Sequence, residues 1–170
     1  MDARELRTLQ APLKERYRER PDSALVTLEA TGSLDGDGVT CSVQTGRALV
    51  EAGLHPATGG DGLSVCSGDL LLEALVACAG VTLRAVATSL EVPIRAGRVH
   101  AEGELDFRGT LGVDREAPVG FRSIRLTFHL DTDAKEATLA KLLELTERYC
   151  VVFQTLAGEP DLTVELDARA

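Results

Sequence analysis

Hydrophobic spacing along the chain changes period several times, and each change marks an expected element. Residues 1 to 20 alternate charges at helical spacing, with Leu6, Leu9, Leu13 and Tyr17 on one stripe and Pro21 as a stop, which predicts a surface helix. Short alternating runs at Leu25 to Thr31 and Val39 to Thr45 flank Asp35, Gly36, Asp37 and Gly38, the pattern of two strands and a hairpin connection. Gly46 and Arg47 lead a third short run, Ala48 to Glu51. The glycine-rich stretch Gly53 to Gly68 holds neither period and reads as a long loop, of the kind that tends to carry function. Leu70 to Leu90 is apolar nearly all round, with Ser67 or Asp69 able to cap its start and Pro93 beyond its end. A period of two returns in Arg98 to Phe107 and Phe121 to Leu130, predicting two antiparallel strands. A second long helix is expected from Ala134 to about Ala157, with Asp133 and Glu136 as a capping box and Gly158 and Pro160 as its stop. Leu162 to Leu166 alternates once more as a closing strand.

These elements describe an α+β chain with a helical appendage over residues 1–22 and one domain over 23–170, since no repeat or linker divides it further. At helical rise Leu70 to Leu90 would reach about 31 Å, long enough for a bilayer. Glu73 and Arg84 lie within it and no positive flank precedes it, so the expectation is a buried central helix and no membrane partner.

The 170 residues carry 18 Lys and Arg against 27 Asp and Glu, a net charge of −9 that repels phosphate backbones, so no nucleic-acid partner is expected. The charged N-terminus has no apolar core of a signal peptide, which gives a cytoplasmic expectation. In a reducing compartment Cys41, Cys66, Cys78 and Cys150 are core filler, metal ligands or reactive thiols rather than a disulfide framework. Cys78 shares a helix side with Ala74, Leu75, Val81 and Thr82, and Cys150 lies on the apolar stripe of the second long helix. Each thiol is then a small buried hydrophobe, or the two helices cross and bring the sulfurs together. Zinc is a third reading, through convergence of His55, Cys66 and Cys78, but the cysteine spacings of 25, 12 and 72 contain no close pair, and no metal or cofactor is expected. The scattered His100 and His129 fall in expected strands. There is no GxSxG elbow for serine chemistry and no phosphate loop around Thr58 to Gly62.

The run TGRALVEAGLHPATGGDGLSVCSGDLLLEALVACAGVTL, followed far downstream by ERYCVVFQTL, resembles the OsmC/Ohr family of osmotically induced and organic hydroperoxide resistance proteins. The family patterns are SPxELLLAALGAC and YCPVSNTL. Ser67 takes the Pro position, Asp69 the Glu position, Leu70 to Leu72 the triple leucine and Cys78 the helix cysteine. Tyr149, Cys150, Thr155 and Leu156 match the second pattern. The likeness spans roughly residues 24 to 166. It implies an intertwined homodimer in which antiparallel sheets wrap around two long central helices, with sites at the subunit interface.

The implied chemistry is reduction of an organic hydroperoxide by a Cys78 thiolate, resolution of its sulfenic acid by Cys150, and recycling by a dithiol reductant. The alternative is the same fold kept as a binding or stress-response module without peroxidase activity. A thiol among alanines and leucines is raised in pKa and inert, so the chemistry needs a cation or a donor beside Cys78. The family uses an Arg held by an acid. Arg47 is the candidate here, with Asp69 or Glu73 as the holding acid. Val151 replaces the family proline after the second cysteine, and Cys66 lies where the family often has Ser, open to service as an alternative resolving thiol.

Overall fold

A computed structural model describes residues 2–20, 32–33, 40–44 and 49–168. The expected strand Leu25 to Thr31, the turn at Asp35 to Gly38 and Arg47 lie outside the described residues.

Helix α1 (Ala3–Glu19) starts with a reciprocal cap: the Glu5 N–H donates to Asp2 Oδ1 at 2.7 Å and the Asp2 N–H to Glu5 Oε2 at 2.8 Å. The first sheet runs in order through β1 (Gly32–Ser33), β2 (Thr40–Gln44), β3 (Leu49–Gly53) and β4 (Val65–Cys66). Its first two pairings are antiparallel, but β3 and β4 run parallel, with Ala52 opposite Val65 and Gly53 opposite Cys66. This short parallel strand lies in what the sequence suggested was all loop. A 3-10 turn at Pro56–Thr58 folds the rest of that segment. At Gly60 a Cβ would sit 1.7 Å from the Leu54 carbonyl oxygen, so only glycine allows the loop to close there.

Helix α2 (Ser67–Ser89) is the central element. Its cap position is Cys66, which makes no side-chain cap bond, so neither Ser67 nor Asp69 plays that part and the helix starts three residues before its apolar run. After Pro93 come β5 (Ala96–Leu105) and β6 (Phe121–Asp131), an antiparallel pair registered from Ala96 opposite Asp131 to Leu105 opposite Phe121, with a bulge at Glu104 and Leu105. The one-turn helix α3 (Phe107–Thr110) joins them, capped by the Asp106 carboxylate, which accepts the Arg108 N–H at 3.1 Å.

Two corrections concern the second long helix. It is not continuous: α4 (Glu136–Tyr149) stops at Cys150, whose ψ of 107° is extended, and α5 (Val151–Ala157) restarts beyond it. Gln154 ties the break together, donating its side-chain amide to the Glu147 carbonyl at 2.8 Å and its N–H to the Cys150 carbonyl at 2.9 Å. Nor does Asp133 cap α4, because Lys135 occupies that position without a side-chain bond. The Asp133 carboxylate instead joins Asp131 in clasping the Arg95 guanidinium, a charge-assisted pairing stronger than a cap bond to a neutral amide. The closing strand at Leu162 to Leu166 is not formed among the described residues: no ladder includes them there, and Leu162, Val164 and Leu166 are 87%, 97% and 91% exposed.

The core has two parts. Leu83, Val86, Ala87, Val92 and Leu142 pack the end of α2 onto α4 and under Phe128 and Leu130 of β6. Leu75, Ala79 and Cys150 form the second part, with Ala101, Ile124, Leu126, Val152 and Phe153 against them. Burial of α2 is one-sided, contrary to a helix enclosed on every side. Leu71, Ala74, Ala77 and Val81 are exposed, Val81 at 73%. By length and composition Ser67–Ser89 is also the one described helix able to cross a membrane.

Candidate functional site

Cys78 and Cys150 meet in the second part of the core. Cys78 is half-buried in the uninterrupted middle of α2, and Cys150 is only 1% exposed at the α4–α5 break, on opposite sides of the α2–α5 contact. The second reading of the thiols, two helices bringing the sulfurs together, is therefore the arrangement found. Each thiol acts on the other: Cys150 pulls Cys78 down and Cys78 pushes Cys150 up.

The break supplies more donors than the thiol alone. In the first turn of a helix the backbone N–H groups have no intrahelical acceptor. Those of Val151, Val152 and Phe153 find no backbone carbonyl among the described residues. They lie close enough to sulfur to favour charge there: the Val152 and Val151 amides pull Cys78 down, and the Phe153 and Val152 amides pull Cys150 down.

The two thiols shift in opposite directions. Burial is the largest single influence on Cys78 and pushes its thiol up, but the Val152 amide, the Cys150 thiol, the Val151 amide and the Thr82 hydroxyl together outweigh it and hold the thiol below its ordinary value. For Cys150 burial is again the largest influence and also pushes up. The Phe153 and Val152 amides counter it only in part, and the neighbouring Cys78 adds to the rise. Of the two sulfurs, Cys78 is the one on which charge is favoured.

The other expected site residues lie apart from this pair. Asp69 precedes Cys78 by nine residues, about half a turn away around the helix, and Glu73 by five, about 140° away. Both are exposed and border a groove of about 440 Å³ between α2 and β5, with His100 on its far wall. Among the described residues no guanidinium acts on Cys78. The zinc reading fails on position, since no three of His, Cys, Asp and Glu gather as ligands among the described residues. His55 is engaged elsewhere, its Nδ1 accepting the Ala57 N–H at 3.0 Å and its ring stacked on Phe107 at 4.9 Å. Cys66 is half-buried at the start of α2.

Sequence reading missed the amides of Val151 and Val152, because no residue type announces a backbone donor. Thr82 was legible in part, standing one turn beyond Cys78 on the same side.

A mixed sheet-and-helix chain that pairs a mid-helix thiol with a thiol at a helix break defines a class of two-cysteine α+β proteins. Within that class the lineage is specific. The chain belongs to the OsmC-like protein family, whose model matches residues 59–165. Its fold is similar to that of an OsmC-like protein from Mycoplasma pneumoniae, at 18% identity and a TM-score of 0.64, over 78% of this chain and 89% of that one. It is similar also to an organic hydroperoxide resistance protein OsmC from Legionella pneumophila, at 18% identity and a TM-score of 0.61, over 79% and 92%. A third likeness is to an organic hydroperoxide resistance protein from Elizabethkingia anophelis, at 16% identity and a TM-score of 0.58, over 79% and 91%. No curated protein matches the sequence.

Proposed function

We propose that the protein is a thiol-dependent peroxidase that reduces organic hydroperoxides. The observation that carries this reading is the meeting of Cys78 and Cys150 in one apolar cluster at a helix break, where the surroundings pull Cys78 down and push Cys150 up. The Cys78 thiolate attacks the terminal oxygen of ROOH. The O–O bond breaks, sulfur is oxidised to the sulfenic acid and RO⁻ leaves to take a proton as ROH. Cys150 then attacks the sulfenic sulfur, forming the Cys78–Cys150 disulfide and releasing water. An external dithiol reduces the disulfide by exchange and leaves as its own disulfide.

The apolar surroundings suit an organic peroxide. Ala74 and Val81 are exposed on the α2 side that carries Cys78, with exposed Tyr149 and Val151 beside Cys150 at the break. An apolar stripe of this kind on a central helix supports a homodimer, as does the bare alternation of Leu162, Val164 and Leu166. Asp69 and Glu73 face away from Cys78 of their own chain, so a role as holding acid for Arg47 belongs to such an assembly.

The test is direct. Reduced protein mixed with cumene hydroperoxide should lose two thiols per chain within seconds to minutes, with a Cys78–Cys150 disulfide in the digest. Unchanged thiols would overturn the proposal. A second reading, the fold as a binding or stress-response module without turnover, draws on one observation: among the described residues no guanidinium accompanies Cys78. A Cys78→Ala chain that retains its full protective effect in cells would favour it.

A further inference from the structure

We propose that Thr82 is a positioning residue for the Cys78 sulfur, its hydroxyl proton turning from the Cys78 carbonyl to the sulfur as the sulfur takes on charge. This rests on the reading of Cys78 as the nucleophile. Thr82 stands one turn beyond Cys78 on α2, about 40° around the helix. Its Oγ1 donates to the Cys78 carbonyl at 2.8 Å, a half-buried bond to the same residue whose thiol the hydroxyl helps to hold down. Threonine in a helix has this local option because its hydroxyl can reach back to a carbonyl one turn earlier.

The proton has two acceptors and only one of them needs it. In the regular ladder of α2 the Cys78 carbonyl is already the acceptor of the Thr82 N–H, so losing the hydroxyl does not leave it unpaired. A thiolate accepts a stronger hydrogen bond than a neutral carbonyl, and the rotor therefore follows the charge. No covalent bond changes. The other groups facing Cys78 are few. The α4–α5 break presents the Cys150 thiol and the Val151 and Val152 amides, and the sheet side chains packed on the same cluster, Ala101, Ile124, Leu126 and Phe128, do not titrate. Cys150 is thus the one titratable partner among the described residues, and Thr82 the one hydroxyl.

The experiment is iodoacetamide labelling of the full reduced chain across pH, with Cys78 followed by its own peptide so that the other three cysteines need no replacement. Thr82→Val, near in volume but without the hydroxyl, should slow Cys78 labelling at neutral pH by about tenfold and move its midpoint upward. Thr82→Ser should restore both. Equal midpoints in Thr82→Val and the parent chain would overturn the inference, and so would a Ser variant that melts like the parent yet labels like Val. No hydroperoxide enters the assay, so the two readings separate. A chain that ignores hydroperoxide but shows the Val shift loses only the peroxidase, and a chain that consumes hydroperoxide without the shift loses only the rotor.

Discussion

The middle of α2 and the α4–α5 break each bring a cysteine into the same apolar cluster, yet they treat sulfur in opposite ways. Inside α2 every neighbouring amide is used in the helix ladder, so the only help the Cys78 thiol takes from its own helix is the Thr82 hydroxyl. At the break three amides are spare, and two of them help to pull Cys78 down. Burial pushes both thiols up, so burial does not separate them. Amides of the break act on both, so what separates them is the rest: Cys78 is lowered further by the Cys150 thiol and the Thr82 hydroxyl, whereas Cys150 is raised by its neighbour Cys78.

Cys78→Ser should break the comparison most completely, abolishing hydroperoxide turnover in a coupled dithiol assay. Cys150→Ser should stop turnover after one oxidation and leave a sulfenic acid that dimedone traps. If the roles were reversed, dimedone would mark Cys150 in the Cys78→Ser chain. Leu142→Ala tests whether the two parts of the core are separable. Removing this buried side chain should destabilise the fold by about 2–5 kcal/mol in urea unfolding, while Cys78 labelling against pH stays as in the parent, because Leu142 packs in the part without sulfur.

Val151→Pro sharpens the comparison, since proline fits the first turn of a helix but has no N–H to give. It should raise the Cys78 labelling midpoint and slow labelling several-fold, whereas Val151→Ala should leave both unchanged. The smallest effect is expected far from sulfur. The Arg108 guanidinium and N–H hold the Asp106 carboxyl down to about 2. A depressed carboxyl contributes stability that is present above the ordinary carboxylate range and lost as pH falls toward about 2. Asp106→Asn should therefore lower the melting temperature slightly at pH 7 and by less near pH 2, with labelling of both sulfurs unaffected.

Strands β5 and β6 were legible to within two residues because their alternation is long and their apolar side faces one core. The apolar run of α2 was equally plain, though composition could not tell that one side of it stays bare. The break at Cys150 was hidden. Val151, Val152 and Phe153 continue the helical apolar stripe, and without a proline or glycine the sequence contains no local stop. The cap at Asp133 failed for a related reason: Arg95, nearly forty positions earlier, competes for the same carboxylate.

Residue types and their periods determined the α+β class, the long central helix and the two cysteines worth watching, because burial pattern and side-chain chemistry are written position by position. Only the tertiary structure decided that the sulfurs share one cluster, that a helix interruption brings spare amides to them, and that Asp69 and Glu73 turn the other way. Those facts depend on backbone direction and on contacts between segments about seventy residues apart, and no local pattern encodes either.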